Sequence, residues 1–209
     1  MLQLKVARDL GMKTPITCYS NRKKYFERHF VDNKYLSLKP IDGEEVILED
    51  DDSQEYLFYS KKVKSTDVFS QSEEAFSQTA CFIQNYVEKK YELRVTVCCN
   101  DIIACKLDSQ QLEEGKGKED WRQGYDFGLK HEIVELPEKI KFFCIEYLKR
   151  MHLNFGCFDF IVTPEDEYVF LECNPNGQWM WIELYTGYDI SKVVAKNLAR
   201  FETPLNSNN

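Results

Sequence analysis

The chain has 209 residues, with 35 Asp and Glu against 27 Lys and Arg, for a formal net charge of −8. Hydrophobic residues at 43% and aromatics at 14% exclude an intrinsically disordered chain and suffice for one domain or one and a half. The acidic balance excludes a general nucleic-acid binder, which must neutralise many phosphates, and no apolar run approaches the ~20 residues that span a bilayer.

The opening Met1-Leu2-Gln3-Leu4-Lys5 has the pattern of neither a signal nor a transit peptide, which predicts a cytoplasmic protein. Residues 2–10 predict a short amphipathic helix with Leu4, Ala7 and Leu10 on its apolar stripe and Gly11 at a left-handed C-cap. An extended segment follows at 14–18, then a helix starting after a cap at Ser20 or Asn21 and running to about Phe30. Tyr35 to Pro40 predicts a strand that ends at its proline. Residues 42–53, with Glu49-Asp50-Asp51-Asp52, predict a solvated acidic turn, because like charges resist compaction, and Tyr56–Tyr59 a strand after it.

Further strands are predicted at 81–87, 93–97 and 101–107, the last two forming a hairpin through Asn100-Asp101. Residues 110–128 contain Gly115 and Gly117 among charges and predict a loop. Residues 138–151 predict a helix introduced by Pro137, with Ile140, Phe143, Cys144, Tyr147, Leu148 and Met151 on one face. A hairpin of 158–163 with 168–173 and a last helix over 191–201, burying Leu198 among others, complete the chain before a frayed tail at 203–209. The eight cysteines show no C-x-x-C spacing, and most lie in apolar runs, so reduced and mostly buried thiols are expected.

Four features carry chemistry. Glu172 and Asn174, two apart on a strand, share a face, and Asp159 on the facing strand adds a third oxygen donor. Such hard donors suit Mg²⁺ bridging to phosphates, although an exposed polar face running into an Asn-Pro-Asn-Gly turn has the same pattern. Lys39, on an apolar strand, either meets a nucleotide phosphate or packs its stem and sends its head to solvent. Glu92-Leu93-Arg94 places a carboxylate and a guanidinium on one strand face, and Asp120-Trp121-Arg122 follows the glycine-containing loop. Taken singly, Arg94 and Arg122 read as surface ion pairs, the commoner role of such residues.

Their order makes the difference. Lys39, Gln84-Asn85-Tyr86-Val87, Glu92-Leu93-Arg94, Asp120-Trp121-Arg122, Asp159 and Glu172-Cys173-Asn174 together resemble an ATP-grasp carboxylate–amine ligase. The general layout resembles the ribosomal-protein glutamate ligases. Tyr91–Val97, Leu153-Asn154-Phe155-Gly156 and Asn174-Pro175-Asn176-Gly177-Gln178-Trp179-Met180-Trp181-Ile182-Glu183 are closer to the peptide maturases of microviridin-type graspetides.

That resemblance implies an α+β, ATP-grasp fold of two lobes with antiparallel sheets and ATP held between them. The expected divisions are a central lobe at 1–87, a C-terminal lobe at 88–202 and a flexible tail at 203–209. It begins within the central domain at Met1, so the family's N-terminal domain is expected to be missing. The cofactors implied are ATP and Mg²⁺. Lys39 would contact phosphates, Gln84, Asn85 and Tyr86 would form the adenine hinge, and Glu92 would bind ribose. Arg122 would approach the phosphates and Arg94 the acyl-phosphate side, both as catalytic groups. Asp159, Glu172 and Asn174 would hold the metal, and Asn176 would help position the acceptor. The implied activity is ligation through an acyl phosphate, closing ester or amide links in a ribosomal precursor peptide; a homodimer is a further family expectation, with neither nucleic acid nor membrane as partner. The alternatives are a non-catalytic module binding nucleotide or leader peptide, and a ligase that adds amino acids to a protein tail.

Overall fold

The computed structural model describes residues 1–40, 45–47, 55–57 and 59–200, and the side chains of all of these except 45–47 and 55–57. The chain divides into two compact units. The first takes Met1–Thr14, Lys89–Asp108 and the chain from Lys130 on, and the second takes Pro15–Glu88 and Ser109–Leu129.

In the first unit, β7 (Tyr91–Cys98), β8 (Asp101–Leu107), β9 (His131–Val134), β10 (Phe155–Val162) and β11 (Tyr168–Asn174) form an antiparallel sheet in the order β11-β10-β7-β8-β9. Alternation sends Leu93, Val95, Val97, Phe158 and Phe160 to one face, where they meet α5 (Glu138–Arg150) and α1 (Leu2–Asp9). Phe143 and Tyr147 of α5 pack edge-on or tilted against Phe158 and Phe170. Aromatic pairs in these offset geometries add to the burial of their own area. The α5 termini suit the helix dipole, with Glu138 in the first turn and Lys149 and Arg150 in the last.

The helix expected at the N-terminus is present and buries Leu4 and Ala7, and Gly11 has the left-handed φ of +78°. It packs on β11 and α5, so residues 1–14 lie with the C-terminal strands rather than in a lobe of residues 1–87. Its apolar stripe finds its complement there. The last helix, Ile190–Ala199, starts with Asp189 accepting from the Lys192 N–H at 2.8 Å. It buries Ile190, Val194 and Asn197, whereas Leu198, expected inside, is 62% exposed.

In the second unit, β1 (Thr17–Ser20), β2 (Tyr35–Lys39), β5 (Lys61–Lys64) and β6 (Cys81–Asn85) form a sheet in the order β1-β6-β2-β5. Its core is Cys18, Phe26, Phe30, Leu36, Val68, Phe76 and Ile83. These come from the sheet and from α2 (Lys23–Phe30), α3 (Ser65–Phe69) and α4 (Glu73–Ser77). The cap of α2 is Arg22, not Ser20 or Asn21; the Ser20 hydroxyl accepts from the Arg22 N–H at 3.1 Å instead. Helices α3 and α4 were not predicted, being too short for a helical period to emerge. The segment read as a loop at 110–128 contains a 3-10 helix at Trp121–Phe127, closed by Gly128 in the left-handed region.

The strand expected at Tyr56–Tyr59 is β4 (Glu55–Leu57), which pairs with β3 (Glu45–Ile47), a strand inside the stretch expected to be a turn. The acidic run at 49–52 and the tail at 203–209 lie outside the described residues. All eight cysteines are free thiols, six of them buried. Among the described residues no helix is long and apolar enough to cross a membrane.

Candidate nucleotide and metal site

The face of the five-stranded sheet opposite the aromatic core is mixed: buried Ile103, Leu107 and Ile161 share it with a group of charged side chains. On β7, Glu92 and Arg94 alternate with the core residues Leu93 and Val95, so both point away from α5. Register places Asp159 of β10 directly beside Arg94 on one side and Glu172 of β11 on the other. Asn174 follows on the same side as Glu172, with Cys173 turned into the core between them.

A β-bulge sets this phase. Asp159 pairs with Glu172 but Phe160 pairs with Phe170, so Leu171 is the extra residue on β11. Phe170 is fully buried in the core while Glu172, two residues on, is exposed. In a regular strand those two would share a face.

Arg94 is 8% exposed, and its Nη1 donates to both carboxylate oxygens of Asp159 at 3.0 and 2.8 Å. Burial works to lower its pKa, but Asp159, Cys157 and Glu172 outweigh that and raise it, so the charge is held firmly. The chain after β11 presses on this group. A Cβ built on Gly177 would stand 2.4 Å from Cys157 Cβ and 2.9 Å from Arg94 Nη2, so only glycine lets the Asn-Pro-Asn-Gly turn lie here. Asn174 Oδ1 accepts from the Asn176 N–H at 2.8 Å, which closes the turn. Glu92 is buried and pairs with Lys89 Nζ at 2.8 Å, a partner that sequence reasoning did not single out.

On the second unit, Gln84 is buried and donates through Nε2 to Thr17 Oγ1 at 3.0 Å. Asn85 accepts from the Ile16 N–H through Oδ1 at 2.6 Å and donates its own N–H to Ile16 O. Tyr86 donates its N–H to Tyr35 O, and Lys62 Nζ lies 3.9 Å from its ring centroid. Lys39 is paired with Phe82 and Leu36 with Asn85, so Lys39 and Asn85 are three ladder steps apart, roughly 10 Å. Arg122, second residue of the 3-10 helix, is bound through Nε and Nη2 to Asp120.

Two groupings therefore hold within single units: Glu92, Arg94, Asp159, Glu172 and Asn174 on one sheet face, and Gln84, Asn85 and Tyr86 at the end of β6. Among the described residues no three His, Cys, Asp or Glu side chains form a metal-holding group. The third donor expected beside Asp159 and Glu172 is the Asn174 amide oxygen. Two carboxylates and an amide oxygen are a hard-oxygen set of the kind Mg²⁺ takes, with water completing the shell.

A family model for the RimK-like ATP-grasp domain matches residues 56–198, more than half of the chain. No curated protein sequence matches. Among solved structures, the chain is similar to a RiPP-associated ATP-grasp ligase of Chryseobacterium gregarium in complex with ADP and a leader and core peptide (TM-score 0.84, 32% identity, 96% of this chain and 59% of that one). It is also similar to the macrocyclase MdnC of Microcystis aeruginosa MRC bound with the precursor peptide MdnA (TM-score 0.77, 31% identity, 95% and 60%). A third is the macrocyclase MdnB from the same source (TM-score 0.68, 27% identity, 94% and 57%). The chain thus spans about three-fifths of the length of these solved relatives.

Proposed function

The chain belongs to the RimK-like ATP-grasp domain family, and from that premise we propose that it takes part in ATP-dependent ligation on a ribosomally made precursor peptide. Its fold is an ATP-grasp fold, with two antiparallel sheets and their helices. The observation that carries the proposal is the register of Arg94, Asp159 and Glu172 across three adjacent strands, continued by Asn174.

In this reading Asp159, Glu172 and Asn174 hold Mg²⁺, which when bound neutralises phosphate charge. Glu92 accepts from ribose hydroxyls, Gln84, Asn85 and Tyr86 line the base, and Lys39 and Arg122 meet phosphate oxygens. A peptide carboxylate attacks the γ-phosphorus of ATP and ADP departs, leaving an acyl phosphate. A hydroxyl or amine of the same peptide then attacks the acyl carbon, and phosphate leaves. An ester or an amide closes the ring; the oxygen lost from the carboxylate and the proton lost from the nucleophile leave with the phosphate, so the products are the ring, ADP and inorganic phosphate. In the same reading Arg94 offers charge to the acyl-phosphate oxygens, and positioning supplies most of the rate. The peptide partner is supported by the leader-, core- and precursor-bound relatives. A cytoplasmic setting, where thiols stay reduced, agrees with eight free cysteines. Self-association as a homodimer belongs to the same family reading.

The test is thermal unfolding of the 209-residue chain with and without Mg·ATP. A ligand that binds only the folded form raises the melting temperature by mass action. The proposal expects a rise that Asp159→Ala removes; a melting curve indifferent to saturating Mg·ATP would overturn it.

A further inference from the structure

Asp120 is a carboxylate to which the proposed reading gives no task. It is 4% exposed and is tightly engaged. It accepts from the backbone N–H of Ser60 at 3.0 Å and of Arg122 at 3.2 Å, and from Arg122 Nε at 2.7 Å and Nη2 at 2.5 Å. The neighbouring Glu119 accepts from the Lys62 N–H at 3.0 Å. Two successive carboxylates therefore tie the start of the 3-10 helix to the backbone at the beginning of β5, at Ser60 and Lys62. The Arg122 guanidinium carbon also lies 5.8 Å from the centroid of the Tyr59 ring.

A carboxylate this far from water needs partners, and Arg122 supplies a charge as well as hydrogen bonds. The geometry does more than satisfy it. Pairing through Nε and Nη2 fixes the plane of the guanidinium and the end of a side chain that otherwise samples many rotamers. The ordering is then complete before any ligand arrives, which is how preorganisation raises affinity. The same pairing cancels part of the Arg122 charge, which works against anion binding, so the two effects predict opposite signs when Asp120 is neutralised.

We infer that Asp120 is a positioning residue, holding the Arg122 guanidinium in the orientation that meets a phosphate oxygen of bound nucleotide. This rests on the phosphate role of Arg122 under Proposed function.

The experiment measures binding of Mg·AMPPNP, with adenosine as a phosphate-free control, to the 209-residue chain and to Asp120→Asn, Arg122→Ala and their double variant. Asp120→Asn is expected to weaken Mg·AMPPNP about tenfold, leave adenosine unchanged, and add nothing in the Arg122→Ala background. Unchanged or tighter Mg·AMPPNP binding by Asp120→Asn would overturn the inference, as would the same loss in both backgrounds or an equal loss of adenosine. Arg122→Ala binding Mg·AMPPNP like the unsubstituted chain would remove the phosphate role of Arg122 and the inference with it. Should Asp120→Asn not fold, Arg122→Lys decides, since lysine keeps the charge but cannot make the two-point pair. It is expected to lose about as much as Asp120→Asn, and full affinity in that variant would overturn the positioning role.

Discussion

Arg94 and Asp159 face each other across β7 and β10, with one guanidinium nitrogen within 3.0 Å of both carboxylate oxygens and side-chain exposures of only 10% and 16%. An ion pair this enclosed has lost most of its hydration, so neither member tolerates removal of the other. Arg94→Ala is expected to lower unfolding free energy by about 3 kcal/mol, because it leaves a partly buried carboxylate uncompensated. The double variant Arg94→Met, Asp159→Leu is expected to regain most of that loss while giving up the metal ligand. Urea unfolding of the three proteins measures both effects, and a single-variant loss near zero would mean that water reaches the pair freely.

Two glycines of the same unit test how closely the backbone is packed, and they should respond differently to a second substitution. A Cβ at Gly156 would lie 2.6 Å from Cys173 Sγ and 3.0 Å from Leu148 Cδ2, both of them side-chain atoms. A Cβ at Gly177 would lie 2.4 Å from Cys157 Cβ, an atom that alanine retains. Each glycine-to-alanine change is expected to cost about 2 kcal/mol from overpacking. Cys173→Ala should recover much of the loss at Gly156, whereas Cys157→Ala should recover little at Gly177. Equal recovery at both positions in thermal melts would contradict this account.

The parts of the fold visible in the sequence are those whose residues repeat over a long enough window. The α5 stripe of Ile140, Phe143, Cys144, Tyr147 and Leu148 is buried as its spacing predicts, and Gly11 takes the left-handed conformation its place implied. The helices α3 and α4, of five residues each, give periodicity too little to act on. The spacing of Glu172 and Asn174 gave their common face correctly. It gave no hint of the bulge at Leu171 that turns this face away from Phe170, because a bulge is decided by pairing with β10 rather than by local composition. Lys89 beside Glu92 and Asp120 beside Arg122 were within reach, since a charge two or three residues from a functional side chain is a readable signal. What the sequence withheld was their burial.

Tyr147 offers a stabilising change. It is fully buried among Phe143, Phe158 and Phe170, and its hydroxyl oxygen has no hydrogen-bond partner. Burial pushes its pKa upward, with a further rise from the nearby Cys173 thiol. A hydroxyl held away from water without a partner costs free energy that phenylalanine does not. Tyr147→Phe is therefore expected to keep or raise the unfolding free energy, by up to about 1 kcal/mol. A measurable loss of unfolding free energy in urea titrations would show that the hydroxyl is satisfied in solution by a bound water.

The buried thiols predict a decline of stability in alkali. Burial raises the Cys105 pKa from its ordinary 9.0 to about 12, against a small lowering from a backbone hydrogen bond. Cys173 is also pushed to about 12 by burial first and by Cys157 and Asp159 after it, and Cys98 to about 11 by burial and then by Cys99. Above pH 9 the unfolded chain releases these protons while the folded chain keeps them, so deprotonation favours unfolding. Their contribution is whole below pH 9 and is lost as pH rises toward 11–12. The melting temperature is expected to fall steadily above pH 9, less steeply in Cys105→Ala than in the unsubstituted chain once the two are matched at pH 8. In native protein at pH 8, a thiol reagent should label the half-buried Cys81 and Cys99 well before the six buried cysteines, which should react only as the chain unfolds. Rapid labelling of Cys105 under native conditions, or a pH slope unaffected by its removal, would show that this thiol is not held away from water.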